Sequence, residues 1–288
     1  MKSTDGQAYE PRGGDDACRA LVMGITHKLG SRQDRIPGLL DGVTSSLEEQ
    51  GWVCERGTVS WQPQHQRVPL FVTSHVRFRW LSGAEWFNRG VSRRLASELV
   101  VGGRLILGNL VHSRGEKRGR FLREVLVEKH LACWRLALDL DSDVLVVLED
   151  DAVEADQWDE FQRAAPLLAS ERPTFFNLGG GNDLSRYPLE SARDIGPGWR
   201  RGRLADTAVA YCVNRAGLEI MANSVAEWPH GRRVGADAMI SGALMRNKAV
   251  ESLFPPSPLF LNGTIEGIFS SELPTSKVHK SGPNESRE

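Results

Sequence analysis

The sequence predicts an α/β fold in which helices flank a mostly parallel central sheet. Strand-like apolar runs alternate along the chain with segments whose apolar residues recur at helical spacing, a pattern typical of parallel sheets. The apolar run 144–148 is short and Val-rich and ends in acids, as expected of a buried strand. The length of 288 residues suffices for one large domain with a substantial core.

The elements follow from local pattern. A first strand is predicted at 20–25 and a helix at 36–50, with Pro37 in its first turn and Gly51 at its end. The strongest helix prediction is 121–140, where apolar residues recur every three or four positions. Further strands are predicted at 52–61, 70–80, 104–110, 174–178, 205–213 and 250–254. Further helices are predicted at 84–99, 156–169, 215–223 and 236–246.

Both ends of the chain are polar. Residues 1–17 are Gly-rich, and residues 274–288 have few apolar side chains, so both are predicted to be disordered tails. A single folded domain is therefore expected over 18–273.

Composition restricts the class of protein. Lys plus Arg number 36 against 37 Asp plus Glu, so the formal net charge is −1 and nucleic acid is a disfavoured partner. The 4 cysteines show no CxxC or zinc-like spacing, which favours reduced thiols in the cytoplasm. No apolar stretch is long enough to span a membrane, and the N-terminus lacks the apolar region of a signal peptide. The expectation is a cytoplasmic protein whose membrane contact, if any, is peripheral.

The most informative motif is the acid triplet Glu149-Asp150-Asp151, which ends the apolar run 144–148. Adjacent carboxylates repel one another unless a cation or hydrogen-bond donors neutralise them. Alternate residues of an extended segment point the same way, so Glu149 and Asp151 can share a face. Hard oxygen ligands suit Mg²⁺ or Mn²⁺, which also coordinate phosphate oxygens. The alternative is an acidic turn that caps the next helix.

Other candidates are less specific. His130 shares a helix face with Trp134 and is either a satisfied core histidine or a substrate contact. Asp237 lies at a predicted helix start, so it is either a first-turn acid or a general base. The basic segment 112–123, with Arg118 and Arg120, is predicted to be a mobile loop that is either solvated or recognises an anion.

Several of these motifs, taken in order, resemble the family 25 glycosyltransferases of the lipopolysaccharide-biosynthesis type, which are related to collagen galactosyltransferases. The segment 128–134 (EKHLACW) is similar to the family's Ser-His-Leu-x-x-Trp helix, and 146–152 (VVLEDDA) to its Leu-Ile-Leu-Glu-Asp-Asp-Ala strand. The segment 207–218 (TAVAYCVNRAGL) resembles its Ala-Tyr-Val-Ile-Ser-Arg-x-Gly-Ala segment. Residues 253–271 resemble its late Pro-Pro to Ser segment. Residues 52–119 match poorly.

The resemblance implies a GT-A-like fold, a nucleotide-sugar donor with a UDP-sugar as first choice, a hydroxyl acceptor such as a saccharide, and Mn²⁺ or Mg²⁺. Asp151 and Glu149 would hold the metal, and Asp237 would be the base of an inverting transfer. Donor contacts are expected from a set spread along the chain: Thr26, Arg32, Arg35, His130, Glu149 and Asp150. Acceptor contacts are expected from Tyr211, Arg118 and Arg120.

Two other functions remain open. A metal-dependent phosphohydrolase or nuclease also clusters carboxylates around Mg²⁺, although such sites usually draw acids from several strands. A glycosyltransferase-like binding module without turnover would bind nucleotide only. The basic segment 112–123 also leaves a nucleic-acid acceptor open.

Overall fold

The structure is a computed structural model that describes residues 17–26, 34–60, 114–155, 158–180, 184, 187–228, 234–266 and 268–269, with the backbone alone over 114–121. The predicted elements at 70–80, 84–99 and 104–110 lie outside these ranges, as do Arg32 and, apart from residue 17, both predicted tails. Within the described ranges no helix is both long enough and apolar enough to cross a lipid bilayer.

The elements alternate along the chain as predicted. The helices are α1 (Ile36–Glu48), α2 (Arg114–Asp139), α3 (Trp158–Leu168), α4 (Arg215–Ala226) and α5 (Ala236–Arg246). The main-sheet strands are β1 (Arg19–Ile25), β2 (Val53–Val59), β3 (Val144–Glu149), β5 (Thr174–Asn177), β7 (Glu190–Ser191), β8 (Arg200–Gly202), β9 (Ala210–Asn214) and β10 (Glu251–Phe254). A small second sheet contains β4 (Ala152–Glu154), β6 (Gly179–Gly180) and β11 (Phe260–Asn262).

The main sheet has the order β2-β1-β3-β9-β5-β10-β8-β7. The α/β class, with a large central sheet flanked by helices, is therefore confirmed: six of the eight strands run in the same direction, although the sheet is mixed. β1 pairs in parallel with β2 and β3, and β5 with β10, whereas β9 runs antiparallel to both β3 and β5. An apolar run indicates a buried strand but carries no information about its direction, which is why the sequence did not reveal the mixed sheet.

Alternation along β3 builds the two cores. Val144, Val146 and Leu148 pack in the cluster that contains α1 and α3, whereas Leu145 and Val147 pack with α2, α4 and α5. All five residues are fully buried. Full burial of one such side chain stabilises a fold by roughly 1.5–3 kcal/mol, so β3 anchors both layers. The result is a helix–sheet–helix arrangement with β3 near its centre.

Two boundaries differ from prediction by more than three residues. α2 begins at Arg114, so the basic segment is helical over 114–123 and the prediction of a mobile loop there is wrong. Its Glu, Lys and Arg residues are good helix formers, and the two glycines, Gly115 and Gly119, cost only about 1 kcal/mol each relative to Ala. The packed remainder of the helix outweighs that cost.

The second difference concerns β9, which begins at Ala210 rather than at residue 205. The backbone N–H groups of residues just before Ala210 donate to side chains instead of to the backbone of a neighbouring strand. Ala205 donates to Ser241 Oγ at 3.0 Å and Asp206 to Asn177 Oδ1 at 2.7 Å, while Ala208 donates to the Asp237 carboxylate. These bonds hold 205–209 as an irregular segment at the edge of the sheet.

Strand directions bring several chain segments to that edge. The carboxyl ends of β1, β3, β5 and β10 meet there, together with the amino end of β9. Ile25 pairs with Glu149, so Thr26 follows directly beside the acid triplet. Ligands of open α/β sheets commonly bind outside the carboxyl ends of strands.

Candidate active site

The acid triplet lies at the tip of β3. Glu149 is its last residue, and its N–H donates to Val209 O at 2.8 Å. The Glu149 side chain is 12% exposed, Asp150 is buried and Asp151 is half-buried. Asp151 is fixed from the C-terminal part of the chain, because Thr264 Oγ1 donates to its Oδ2 at 2.9 Å and Gly263 N–H to its carbonyl at 2.9 Å.

The environment of Glu149 favours its neutral form. Burial is the largest cause that raises the pKa of this carboxyl well above its ordinary range. The charges of Asp151, Asp237 and Asp150 raise the pKa further, in that order. The ammonium group of Lys129 lowers it, and this group is buried and donates to Thr26 O at 2.6 Å. Glu149 therefore lies at the centre of a cluster of carboxylates that one buried cation partly neutralises.

Asp237 joins this cluster from a distant part of the sequence. It is the second residue of α5, and its carboxylate accepts the N–H of Ala208 rather than an amide of its own helix. Burial of the carboxyl is the main cause that raises its pKa, Asp151 adds to the increase, and the Ala208 hydrogen bond opposes it. The side chain nevertheless keeps exposed surface. A raised pKa and an exposed surface are compatible for Asp237 because protein atoms can surround most of a carboxyl group while one side of it stays open to solvent.

His130 lies behind Glu149 rather than in the cleft. Its Nε2 is 3.1 Å from Glu149 Oε1 and its Nδ1 is 3.0 Å from Tyr211 Oη. Tyr211 Oη also accepts the indole N–H of Trp134 at 2.8 Å. These three side chains are fully buried.

Four of the predicted contact residues are buried. Thr26, His130, Asp150 and Tyr211 expose at most 2% of their surface, so they have little area with which to touch a substrate. This burial does not favour the expected donor contacts of the first three or the expected acceptor contact of Tyr211, which stay predictions. The helical pattern predicted that His130 and Trp134 share a face, but not that this face packs on the sheet.

The remaining predicted cations are only partly located. Arg35 lies beside the acid tip, where its Nη2 donates to Ala152 O at 3.3 Å and its guanidinium stacks 4.8 Å from the Phe269 ring centroid. Its Nη1 is buried and has no hydrogen-bond partner among the described residues. Arg118 and Arg120 are on α2, and their side chains lie outside the described atoms.

A small cavity of about 70 Å³ opens along the same edge of the sheet. It lies beyond the ends of β5 and β10, and Asn177, Asp206 and the prolines Pro255, Pro256 and Pro258 contribute to its lining. Asn177 is saturated, since its amide donates to Ser252 Oγ and Leu253 O at 2.9 Å each. Sequence reasoning missed Asp206 and Lys129. The buried charge of Lys129 had no signal in a helix rich in Lys and Arg, whereas Asp206 stands out as an acid in an apolar run.

The donor set fits a hard divalent cation in part. Among the described residues no group of three or more His, Cys, Asp or Glu is arranged to hold a metal ion. Asp151 is nevertheless close enough to Glu149 for its negative charge to raise the pKa of the Glu149 carboxyl. Mg²⁺ and Mn²⁺ commonly take one or two protein carboxylates and complete their shell with water and phosphate oxygens. The acid tip fits that second arrangement.

Comparisons with known proteins give little further information. No family model matches the chain, and no curated protein matches it. Among solved structures the chain is similar to a glycosyltransferase involved in the glycosylation of the major capsid of PBCV-1, with a TM-score of 0.41 and 8% identity over 85% of this chain and 92% of that one. A likeness at this level does not assign a reaction, so the assignment below depends on the site.

Proposed function

We propose that this chain is a metal-dependent glycosyltransferase that moves a sugar from a nucleotide-sugar donor to a hydroxyl acceptor with inversion. The observation that carries the proposal is the convergence of Asp237 on the acid tip of β3: the Asp237 carboxylate accepts the N–H of Ala208, and the Glu149 N–H donates to the carbonyl of the next residue, Val209. The proposed base and the proposed cation-binding pair then lie at one edge of the sheet, on two elements far apart in the sequence.

Asp237 takes the role of general base. Its raised pKa moves toward the working pH, which makes a carboxylate a better proton acceptor. The Ala208 N–H fixes one carboxylate oxygen, and the exposed surface of the side chain leaves room for an acceptor hydroxyl. In the proposed step Asp237 takes the hydroxyl proton, the acceptor oxygen bonds to the anomeric carbon, and the bond from that carbon to the diphosphate oxygen breaks on the opposite face.

The donor end of the site has to accommodate a diphosphate. Asp151, with Glu149, would hold Mn²⁺ or Mg²⁺, which when bound supplies positive charge that offsets the negative charge of the leaving diphosphate. Arg35 stands beside Ala152 with one buried nitrogen that has no described partner, and a phosphate oxygen would satisfy that nitrogen. UDP is the first nucleotide to test.

The acceptor is assigned to the cavity beside Asp206. Ala208, whose N–H donates to Asp237, is two residues from Asp206, so the same segment contributes to the cavity and holds the proposed base. Strands are about 4.8 Å apart, and β5 is two positions from β3, so the cavity is roughly 10 Å from the acid tip, a distance that a donor sugar and an acceptor sugar can span together. A saccharide hydroxyl is therefore the proposed acceptor.

A metal-dependent phosphohydrolase is the second candidate, because the convergence of Asp237 with the acid triplet supplies carboxylates from more than one element. One assay separates the two. The purified chain is incubated with a panel of nucleoside diphosphate sugars and Mn²⁺, with an EDTA control, and both nucleoside diphosphate and nucleoside monophosphate are measured. Transferase chemistry predicts Mn²⁺-dependent release of nucleoside diphosphate and free sugar. Release of nucleoside monophosphate and sugar 1-phosphate, the products of cleavage between the two phosphorus atoms, identifies the hydrolase, and nucleotide binding without any product identifies a binding module.

A further inference from the structure

Four side chains from three elements form one hydrogen-bonded chain that ends at the acid tip. Trp134 and His130 lie one turn apart on α2, Tyr211 lies on β9, and Glu149 ends β3. The successive distances are 2.8 Å from Trp134 Nε1 to Tyr211 Oη, 3.0 Å from that oxygen to His130 Nδ1, and 3.1 Å from His130 Nε2 to Glu149 Oε1. The first three side chains are at most 1% exposed, so water does not compete for these bonds.

The chemistry of the first residue sets the direction of the whole chain. An indole N–H can only donate, so Tyr211 Oη accepts from Trp134. The tyrosine hydroxyl still has its own hydrogen, and among the described residues its other hydrogen-bond partner is His130 Nδ1. If Nδ1 also donated, the hydroxyl hydrogen would be buried without an acceptor, which proteins avoid. Tyr211 therefore donates to Nδ1.

This direction determines the tautomer of His130. A neutral imidazole that accepts at Nδ1 carries its hydrogen on Nε2. Nε2 then donates to Glu149 Oε1. The other oxygen, Oε2, accepts no hydrogen bond within the described part of the chain and is the oxygen left for a ligand.

We infer that His130 is a positioning residue that holds Glu149 Oε1 through its Nε2–H, and that Trp134 and Tyr211 act through it by fixing its tautomer. The hydrogen-bonded chain of Trp134, Tyr211 and His130, called the relay here, keeps Glu149 Oε2 turned toward the donor site. This consequence for the reaction rests on the proposed function. The same geometry gives a role to His130, which is fully buried on α2, the helix that directly precedes the acid strand β3.

The tautomer can be measured without any assumption about function. The full chain, with its 7 histidines labelled with ¹⁵N, is studied at pH 8 in EDTA by two-bond ¹H–¹⁵N correlation, and His130 is assigned by comparison with His130→Gln. The expected pattern is a protonated Nε2 and an unprotonated, hydrogen-bonded Nδ1. In Tyr211→Phe the Nδ1 resonance should move to the position of a nitrogen that has lost its donor. A proton on Nδ1 in the native chain would overturn the inference.

The affinity for UDP distinguishes a positioning role of His130 from simple filling of the core. His130→Gln keeps one donor and one acceptor, whereas His130→Leu fills space without either. The affinity for UDP in Mn²⁺ is expected to be about tenfold weaker in the Leu variant than in the Gln variant, because the hydrogen bond that fixes Glu149 Oε1 is lost. Equal affinities in two folded variants would overturn the positioning role. If His130→Leu does not fold, Tyr211→Phe replaces it and should weaken binding relative to the native chain. If the native chain binds no UDP, the proposed donor is wrong while the tautomer measurement still decides the relay.

Discussion

At the scale of single residues, Asp237 and Asp159 make an informative pair. Each is an exposed acid at the second position of its helix, Asp237 on α5 and Asp159 on α3. Only Asp237 accepts a backbone N–H from another segment and shifts the pKa of Glu149. Asp159 is therefore an ordinary first-turn acid of its helix, whereas Asp237, at the same helix position, faces the acid cluster.

We predict that Asp237→Asn lowers the rate of sugar transfer by about 10²–10⁴-fold, because the acceptor hydroxyl loses its proton acceptor. The amide remains similar in shape, and the affinity for UDP with Mn²⁺ should stay nearly unchanged. Steady-state transfer rates and calorimetric UDP binding check the two parts. Asp159→Asn is the matched control and should keep both. If Asp237→Asn loses UDP binding as severely as it loses turnover, Asp237 contributes to donor binding and is not the base.

The sequence located part of this site and missed another part. The acid triplet could be predicted because five apolar residues ending in three acids define the end of a buried strand. The meeting of Asp237 with that triplet could not be predicted from spacing, since it depends on how α5 packs against 205–209. Tyr211 was predicted to contact the acceptor, yet its hydroxyl lies in the core between Trp134 and His130.

At the scale of elements, local pattern predicted most helices and strands but not where irregular backbone begins. α5 was predicted with its observed bounds because its apolar residues are periodic from first to last. The segment 205–209 is as apolar as a strand, but its N–H groups bond to Ser241, Asn177 and Asp237. Such bonds come from side chains distant in sequence, so no local pattern reveals them.

Helical glycines allow an element-level prediction. A Cβ at Gly242 on α5 would lie 2.3 Å from the Trp228 ring, whereas a Cβ at Gly42 on α1 would meet nothing within 4 Å. We predict that Gly242→Ala lowers the free energy of unfolding by about 1–3 kcal/mol through overpacking. Gly42→Ala should raise it by about 0.5–1 kcal/mol through helix propensity. Urea unfolding measures both, and a shift of the same sign in the two variants would contradict this account of α5.

At the scale of the whole molecule, the acid cluster links stability to pH. Folding raises the pKa of Glu149, so between the unfolded and folded pKa values the folded chain holds a proton that the unfolded chain has lost. Stability therefore falls as pH rises through that interval. Below the ordinary Glu pKa of about 4.3 both states are protonated, and the cost is absent.

We predict that Glu149→Gln is more stable than the native chain at pH 7–8 in EDTA, because the amide is neutral at every pH and still accepts the His130 N–H. The difference in melting temperature should shrink as pH falls toward 4. Thermal unfolding of both chains across pH 4–8 checks this. A variant that is less stable at every pH, or a difference that does not vary with pH, would show that the carboxylate cluster does not strain the fold.

The central claim is that the acid tip of β3 binds a nucleotide diphosphate together with a divalent cation, and calorimetric titration of UDP tests it most directly. Asp151→Asn is the decisive variant, because it removes one carboxylate charge yet keeps an oxygen for the Thr264 hydroxyl. The account predicts that the native chain binds UDP in Mn²⁺ but not in EDTA, and that Asp151→Asn remains folded and binds UDP weakly in either. Binding of equal strength in EDTA, or undiminished Mn²⁺-dependent binding by Asp151→Asn, would contradict it.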